Sequence, residues 1–131
     1  MANKEGIGAV LLRVVLGIIF LGHGLTKFSG GIENTAGWFG SIGLPEFLAY
    51  IVAGLEVAGG IALIIGLGTR IVGGLFVVLL AGAIIKVQWA AGFIGGYAYD
   101  LALMAMAAYL LLNGSKLYSL DGYIVKTKNK S

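Results

Sequence analysis

Arg13, His23 and Lys27, three side chains that can carry charge or pass a proton, interrupt the otherwise apolar run LRVVLGIIFLGHGLTK. If that run is helical, 100° per residue places them within an arc of roughly 80° on one face. His23 is the only histidine in the chain. An ionisable group inside a membrane span costs roughly 2.5–3.5 kcal/mol on insertion scales, so such a face is expected to meet a partner or a wet cavity. Further polar groups follow in apolar surroundings: Glu56 in LEVAGGIALIIGL, Lys86, Gln88 and Trp89 in IIKVQWA, and Tyr99 and Asp100 in GGYAYDLA.

The background against which these residues stand is strongly apolar. Of 131 residues, 59% are hydrophobic and only 11% charged, and the mean hydropathy is +0.97. That is too little charge to cover a water-soluble domain of this size. The apolar excess runs along the whole chain, which predicts one membrane domain over 1–131. With no cysteine, disulfides and thiolate-held iron–sulfur clusters are excluded. With one histidine, two-histidine haem ligation within one chain is excluded as well, and no metal-ligand set is apparent. The net charge of +3 is scattered or gathered in a short tail, which gives no sign of nucleic-acid binding.

Four apolar segments could cross a bilayer. The first, 7–28, has 22 residues, a rise of ~33 Å, and is too long for the core of a signal peptide. The glycine-rich connection that follows holds Trp38 and Phe39 at the expected headgroup level, with a short interfacial helix over about 35–42. The second span, 46–67, carries Gly54, Ala58, Ala62 and Gly66 at every fourth position, a pattern that predicts a close-packing seam. The short turn Gly68-Thr69-Arg70 returns the third span, 71–91, beside the second. The fourth, 97–113, is the shortest, and a polar tail, 114–131, carries Lys116, Lys126, Lys128 and Lys130. The fold class expected is therefore an all-α membrane protein, a four-transmembrane-helix bundle. The lysine and arginine bias places both termini in the cytoplasm.

At ~1.5 Å per residue, His23, Lys86 and Asp100 come out at one depth, roughly 5–8 Å below the outer boundary. Lys27 falls at that boundary, where a lysine commonly snorkels to the headgroups. Counted from the helix ends, Arg13 and Glu56 differ by about 7 Å in depth, within reach of two long side chains. The expectation is an outer polar layer from the first, third and fourth helices above a deeper Arg13–Glu56 pair. In such a layer His23 and Glu56 are the candidate proton-handling, catalytic groups. Arg13, Lys27, Lys86, Gln88, Trp89, Tyr99 and Asp100 are the candidate ligand-binding residues.

The stretches LLRVVLGIIFLGHGLTKF, LEVAGGIALIIGLGTR and GGYAYDLALMAMAAYLLLNGSKLYSLDG resemble the DoxX family of small bacterial membrane proteins. The resemblance runs from about Gly6 to Tyr123. It implies four membrane helices in the bacterial plasma membrane and a link to quinone or quinol redox chemistry. By motif, Arg13, His23, Lys27, Glu56 and Arg70 correspond to the family's polar positions. The chain departs from the pattern at Ala98, where relatives often have a glutamate. Asp100 supplies a carboxylate two residues on, at a different angle of the helix.

Three functions fit these features. The first is a quinone-linked oxidoreductase or its membrane subunit, because a quinone needs an apolar slot, donors for its carbonyl oxygens and a proton route. No electron carrier is expected within one chain, so the electron partner would be external. The second is a non-enzymatic adaptor that recruits a soluble redox enzyme through Arg70 and the lysine tail. The third is a small-molecule or proton carrier. The bilayer is the expected surrounding in each case, and homo-oligomerisation is open.

Overall fold

The computed structural model describes residues 4–88, 92–116 and 118–124. Among them there are helices and turns and no strands. The helices are α1 (Lys4–Ser29), α2 (Ile32–Ser41), α3 (Phe47–Ile65), α4 (Thr69–Ala83) and α5 (Ala98–Asn113). A π-helical segment, Ile84–Gln88, extends α4, and a second, Phe93–Tyr97, leads directly into α5. Three helices, Gly6–Ser29, Phe47–Ile65 and Thr69–Val87, are long and apolar enough to cross a membrane, and α5 is shorter. Their outer faces suit lipid: Ile18, Ile71, Val78 and Ile85 are all exposed.

The bundle is built from two intimate antiparallel pairs, α1 with α3 and α4 with α5. In the first pair Gly17 meets Gly60, and a Cβ on either would stand 2.7 Å from the other's carbonyl oxygen. Gly24 meets Val57 as closely, with the place for its Cβ 2.9 Å from the Val57 nitrogen. In the second pair Gly73 faces the Ala107 carbonyl. Between the pairs lies a core of Leu16, Phe20, Leu63, Phe76, Leu80, Leu103, Ala107 and Leu110. Phe20 and Phe76 stack across it with centroids 3.8 Å apart, and Gly59 leaves room for the Phe76 ring.

The seam on α3 is not the stripe expected from sequence. Gly54 has open space where a side chain would go, Ala58 is exposed, and Gly66 is the left-handed C-cap of the helix at φ 76°. The buried line is Ala49, Ala53, Glu56, Gly60 and Leu63. Its alternating steps of four and three average 3.5 residues and stay on one face, whereas steps of four drift by ~40° each.

One end of the bundle is tied to the chain's C-terminal segment. The Asp121 carboxylate accepts the N–H groups of Gly68 (2.7 Å) and Thr69 (2.9 Å), the free donors at the start of α4. The Asp121 N–H donates to the Gly66 carbonyl in return. Arg13, 2% exposed, reaches the same segment: Nη1 donates to Ser115 Oγ at 3.2 Å and Nη2 to the Tyr118 carbonyl at 2.8 Å. Lys126, Lys128 and Lys130 of the expected tail lie outside the described residues.

At the opposite end α2 folds over the start of α3. Ala36 and Phe39 bury against Ala49, with Leu44, Leu48 and Val52 packed around them.

The glycine contacts predict a sharp contrast between neighbouring positions. Gly60→Ala should destabilise the bundle by ~1–3 kcal/mol, because its Cβ meets backbone that cannot rotate away. Gly54→Ala should lie within ~0.5 kcal/mol of the parent. Unfolding of the detergent-solubilised protein, followed by loss of helical circular dichroism, measures both.

Candidate functional site

The last turns of α1 carry His23 and Lys27 on the face that α3 and α5 approach. Gly24 sits between them, and its lack of a side chain lets α3 come close at this level. Lys27 is thereby brought to Glu56 of α3, and the two form a direct ion pair. The Glu56 side chain is 7% exposed and that of Lys27 27%. Lys27 is therefore not a headgroup anchor, because its ammonium turns inward to a carboxylate.

This corrects the expected Arg13–Glu56 pair. Arg13 is level with Gly66, since a Cβ there would lie 2.7 Å from Arg13 Nη1. Gly66 is ten residues, or ~15 Å along the helix, from Glu56. The discrepancy arises because the helix ends are not level. The first turns of α1 project past the α3–α4 turn, so depths counted from a common boundary mislead. Arg13 binds the C-terminal segment and takes no part in the cavity described next.

Beside the Lys27–Glu56 pair lies a cavity of about 830 Å³. Its walls are mainly apolar: Phe20 from α1, Phe39 from α2, Leu48 and Val52 from α3, Leu80 from α4 and Leu103 from α5. Trp38 borders it too, so this residue contributes a wall as well as an interfacial ring. The lining includes Val78 and Ile85, which are 72% and 76% exposed, so the cavity reaches the apolar flank of the bundle.

The polar groups gather on the same cavity. His23, Lys27, Glu56, Lys86, Tyr99 and Asp100 all line it. Tyr99 Oη lies 3.4 Å from His23 Nε2, a long hydrogen bond, with the rings edge to face at 6.3 Å. Asp100 is within electrostatic reach of His23. Lys86 is presented by the π-helical end of α4, a type of distortion frequent at functional sites. Two cations, Lys27 and Lys86, and two carboxylates, Glu56 and Asp100, thus share one largely apolar space. Charges in such surroundings act on each other, and on a ligand, more strongly than in water. Ala98 is not part of the lining, whereas Asp100 is.

Of the other expected ligand-binding residues, Trp89 lies outside the described residues, and Gln88 is described only in its backbone. The apolar walls from α2 and α3 were not expected. Their signal in sequence was the WF pair in the glycine-rich connection, which also suits a plain interfacial position. Nor were the roles of Ser115 and Asp121 expected, although Asp121 lies in the closing SLDG motif.

The family model described as DoxX matches residues 8–89. The chain belongs to the DoxX family. It is 49% identical over 128 residues to the Bacillus subtilis protein named "Putative oxidoreductase CatD", covering 98% of this chain and 95% of that one. It is 29% identical over 142 residues to "Uncharacterized membrane protein Rv3486" of Mycobacterium tuberculosis, covering 96% and 87% of the two chains. It is also 31% identical over 70 residues to "Inner membrane protein YqjF" of Escherichia coli, covering 53% of each chain. No solved structure matches it significantly. With three helices of spanning length among the described residues, this DoxX protein is a multi-pass protein of the bacterial inner membrane.

The ion pair yields a double-mutant test. Lys27→Met leaves Glu56 buried without its counter-charge and should destabilise toward the lower end of ~3–5 kcal/mol, since Lys27 is partly exposed. Lys27→Met/Glu56→Leu should be milder than the sum of its single variants. Arg13→Met combined with Glu56→Leu should be additive within ~0.5 kcal/mol, as expected for groups ~15 Å apart. Unfolding free energies in one detergent decide between coupling and additivity.

Proposed function

We propose that this DoxX protein is a membrane oxidoreductase, or the membrane subunit of a redox system, that binds a quinone or quinol in the cavity beside Lys27 and Glu56. The observation that carries this reading is the convergence of donors, acceptors and His23 on one mainly apolar cavity that reaches the exposed apolar flank of the bundle. Its volume lies within the ~300–1,000 Å³ usual for small-molecule sites. The name of the Bacillus subtilis relative supports the redox assignment.

On this reading α5, continued by Phe93–Tyr97, completes a four-helix crossing, both termini are cytoplasmic, and the cavity lies toward the outer face. A quinone ring enters from the bilayer past Val78 and Ile85 and stacks among the Phe20, Trp38 and Phe39 rings. Lys86 and His23 donate hydrogen bonds to its carbonyl oxygens. Negative charge that develops on those oxygens is stabilised by Lys86, which borders the mainly apolar cavity. Protons pass between the ring oxygens and His23 or Glu56, with the Tyr99 hydroxyl as a bridge to His23. The electrons are exchanged with a separate redox partner, because the chain has no cysteine and a single histidine to hold a metal centre of its own.

The test is a titration of the purified protein with a short-chain quinone, read by quenching of tryptophan fluorescence. His23→Ala and Lys86→Met should each weaken binding by about tenfold, the loss of ~1.4 kcal/mol of polar contact, while helicity is unchanged. An apolar analogue without carbonyls should bind more weakly than the quinone. Equal binding of the analogue, or parental binding by both variants, would reject the cavity as a quinone site.

A further inference from the structure

We infer that the head group held in this cavity docks as a hydrogen-bond donor, so that the site prefers the hydroxyl-bearing, reduced aromatic form of its ligand over the carbonyl form. The inference rests on the quinone or quinol reading above and adds which member of the couple the protein holds.

Glu56 spends one carboxylate oxygen, Oε1, on Lys27. Its other oxygen has no protein partner among the described residues and is not sealed in the interior, while the side chain as a whole is 7% exposed. Glu56 is one of the residues that line the cavity, so a ligand held there lies beside its carboxylate. Asp100, on the opposite helix pair, also lines the cavity and likewise has no hydrogen-bond partner among the described residues. An ionised carboxylate only accepts hydrogen bonds. Two carboxylates with open positions therefore face a mainly apolar volume.

The donors are arranged differently. Lys27 is engaged with Glu56, and Lys86 and His23 are exposed. Their hydrogen bonds to a ligand oxygen replace bonds to water or headgroups, so each returns only the modest gain stated above. Glu56, with its side chain only 7% exposed, is in the opposite position, because an acceptor left unpaired on a buried side chain costs more than a hydrogen bond returns in water, and Asp100 is half-buried. Hydrogen bonds to charged acceptors are also roughly twice as strong as neutral ones. A phenolic hydroxyl on an aromatic ring meets this demand, and a quinone carbonyl turns a second acceptor toward the carboxylate. The same ring can present a second hydroxyl to Asp100.

The preference has an electrochemical equivalent. For a two-electron couple, each tenfold excess of affinity for the reduced form raises the midpoint potential of the bound couple by about 30 mV.

The experiment is calorimetric titration of the full chain in detergent, under argon, with three probes: a short-chain hydroquinone, its quinone and its dimethyl ether. The hydroquinone should bind at least about tenfold more tightly than either of the others. Lys27→Met/Glu56→Leu, which replaces the pair by apolar residues, should bring hydroquinone and quinone within about twofold. Asp100→Ala should narrow the gap in part. If the double variant does not fold, the three probes on the parent protein and on Asp100→Ala still decide the matter. Equal or tighter binding of the quinone overturns the inference and leaves the cavity reading standing. Preference for the hydroquinone that survives in both variants overturns the role given to the two carboxylates. Absence of binding by all three probes overturns the inference and the quinone reading together.

Discussion

The ion pair of Lys27 with Glu56, made across two neighbouring apolar helices, is the contact on which the rest of the arrangement depends. An isolated carboxylate in such surroundings would be very costly, and pairing is what makes the position tenable. The pairing in turn requires α1 and α3 to lie close together in one register. That register is held by glycine: Gly17 and Gly60 touch backbone to backbone, and Gly24 admits Val57 one stage further along. Small-residue contacts of this kind are how helices associate in lipid, where burial of apolar surface offers little driving force. The charges thus specify which residues face each other, and the glycines supply the packing that lets them meet.

The two ends of the bundle divide the work. At the end where the α3–α4 turn lies, Arg13 and Asp121 use their hydrogen bonds on backbone groups of the turn and the C-terminal segment. Arg13 satisfies carbonyls that no helix can satisfy, and Asp121 caps the donors at the start of α4. These two charged groups are committed to structure. At the other end the polar groups keep open valences toward a cavity. Helical regularity is also relaxed there, in the π-helical segments Ile84–Gln88 and Phe93–Tyr97 that flank the connection between α4 and α5. The end tied by these hydrogen bonds is thus distinct from the irregular end that carries the cavity.

Much of this was legible in the sequence, for identifiable reasons. Apolar length alone located the long helices, and the GHGLTK segment announced a polar face because each ionisable group stands out in lipid-compatible surroundings. His23, Lys86, Tyr99 and Asp100 line one cavity, and their closeness is legible because each lies near a helix end, where depth is well defined. Partnership was not legible. Lys27 at a helix end reads as a snorkelling anchor, and Arg13 looks like the natural counter-charge for Glu56. Only the stagger of α1 against α3 reverses both assignments, and stagger is a tertiary quantity. The packing stripe was misread for a related reason. Gly54, Ala58, Ala62 and Gly66 are conspicuous in composition, but the face that packs follows a period near 3.5 and includes Glu56 itself. The walls supplied by Phe39 and Leu48 depend on α2 folding back over α3, which local pattern does not specify.

On the proposed function, one ring-shaped, lipid-soluble ligand sits at the end of the bundle where Lys27 meets Glu56. The most direct measurement is photocrosslinking of the protein in lipid bilayers with a photoreactive short-chain quinone, followed by mass spectrometry of the labelled peptides. Labelling should concentrate in segments 38–52 and 78–87 and be competed away by unlabelled quinone. Labelling centred on Arg13, Ser115 and Asp121, or spread over the lipid-facing surface without competition, would contradict the proposed function.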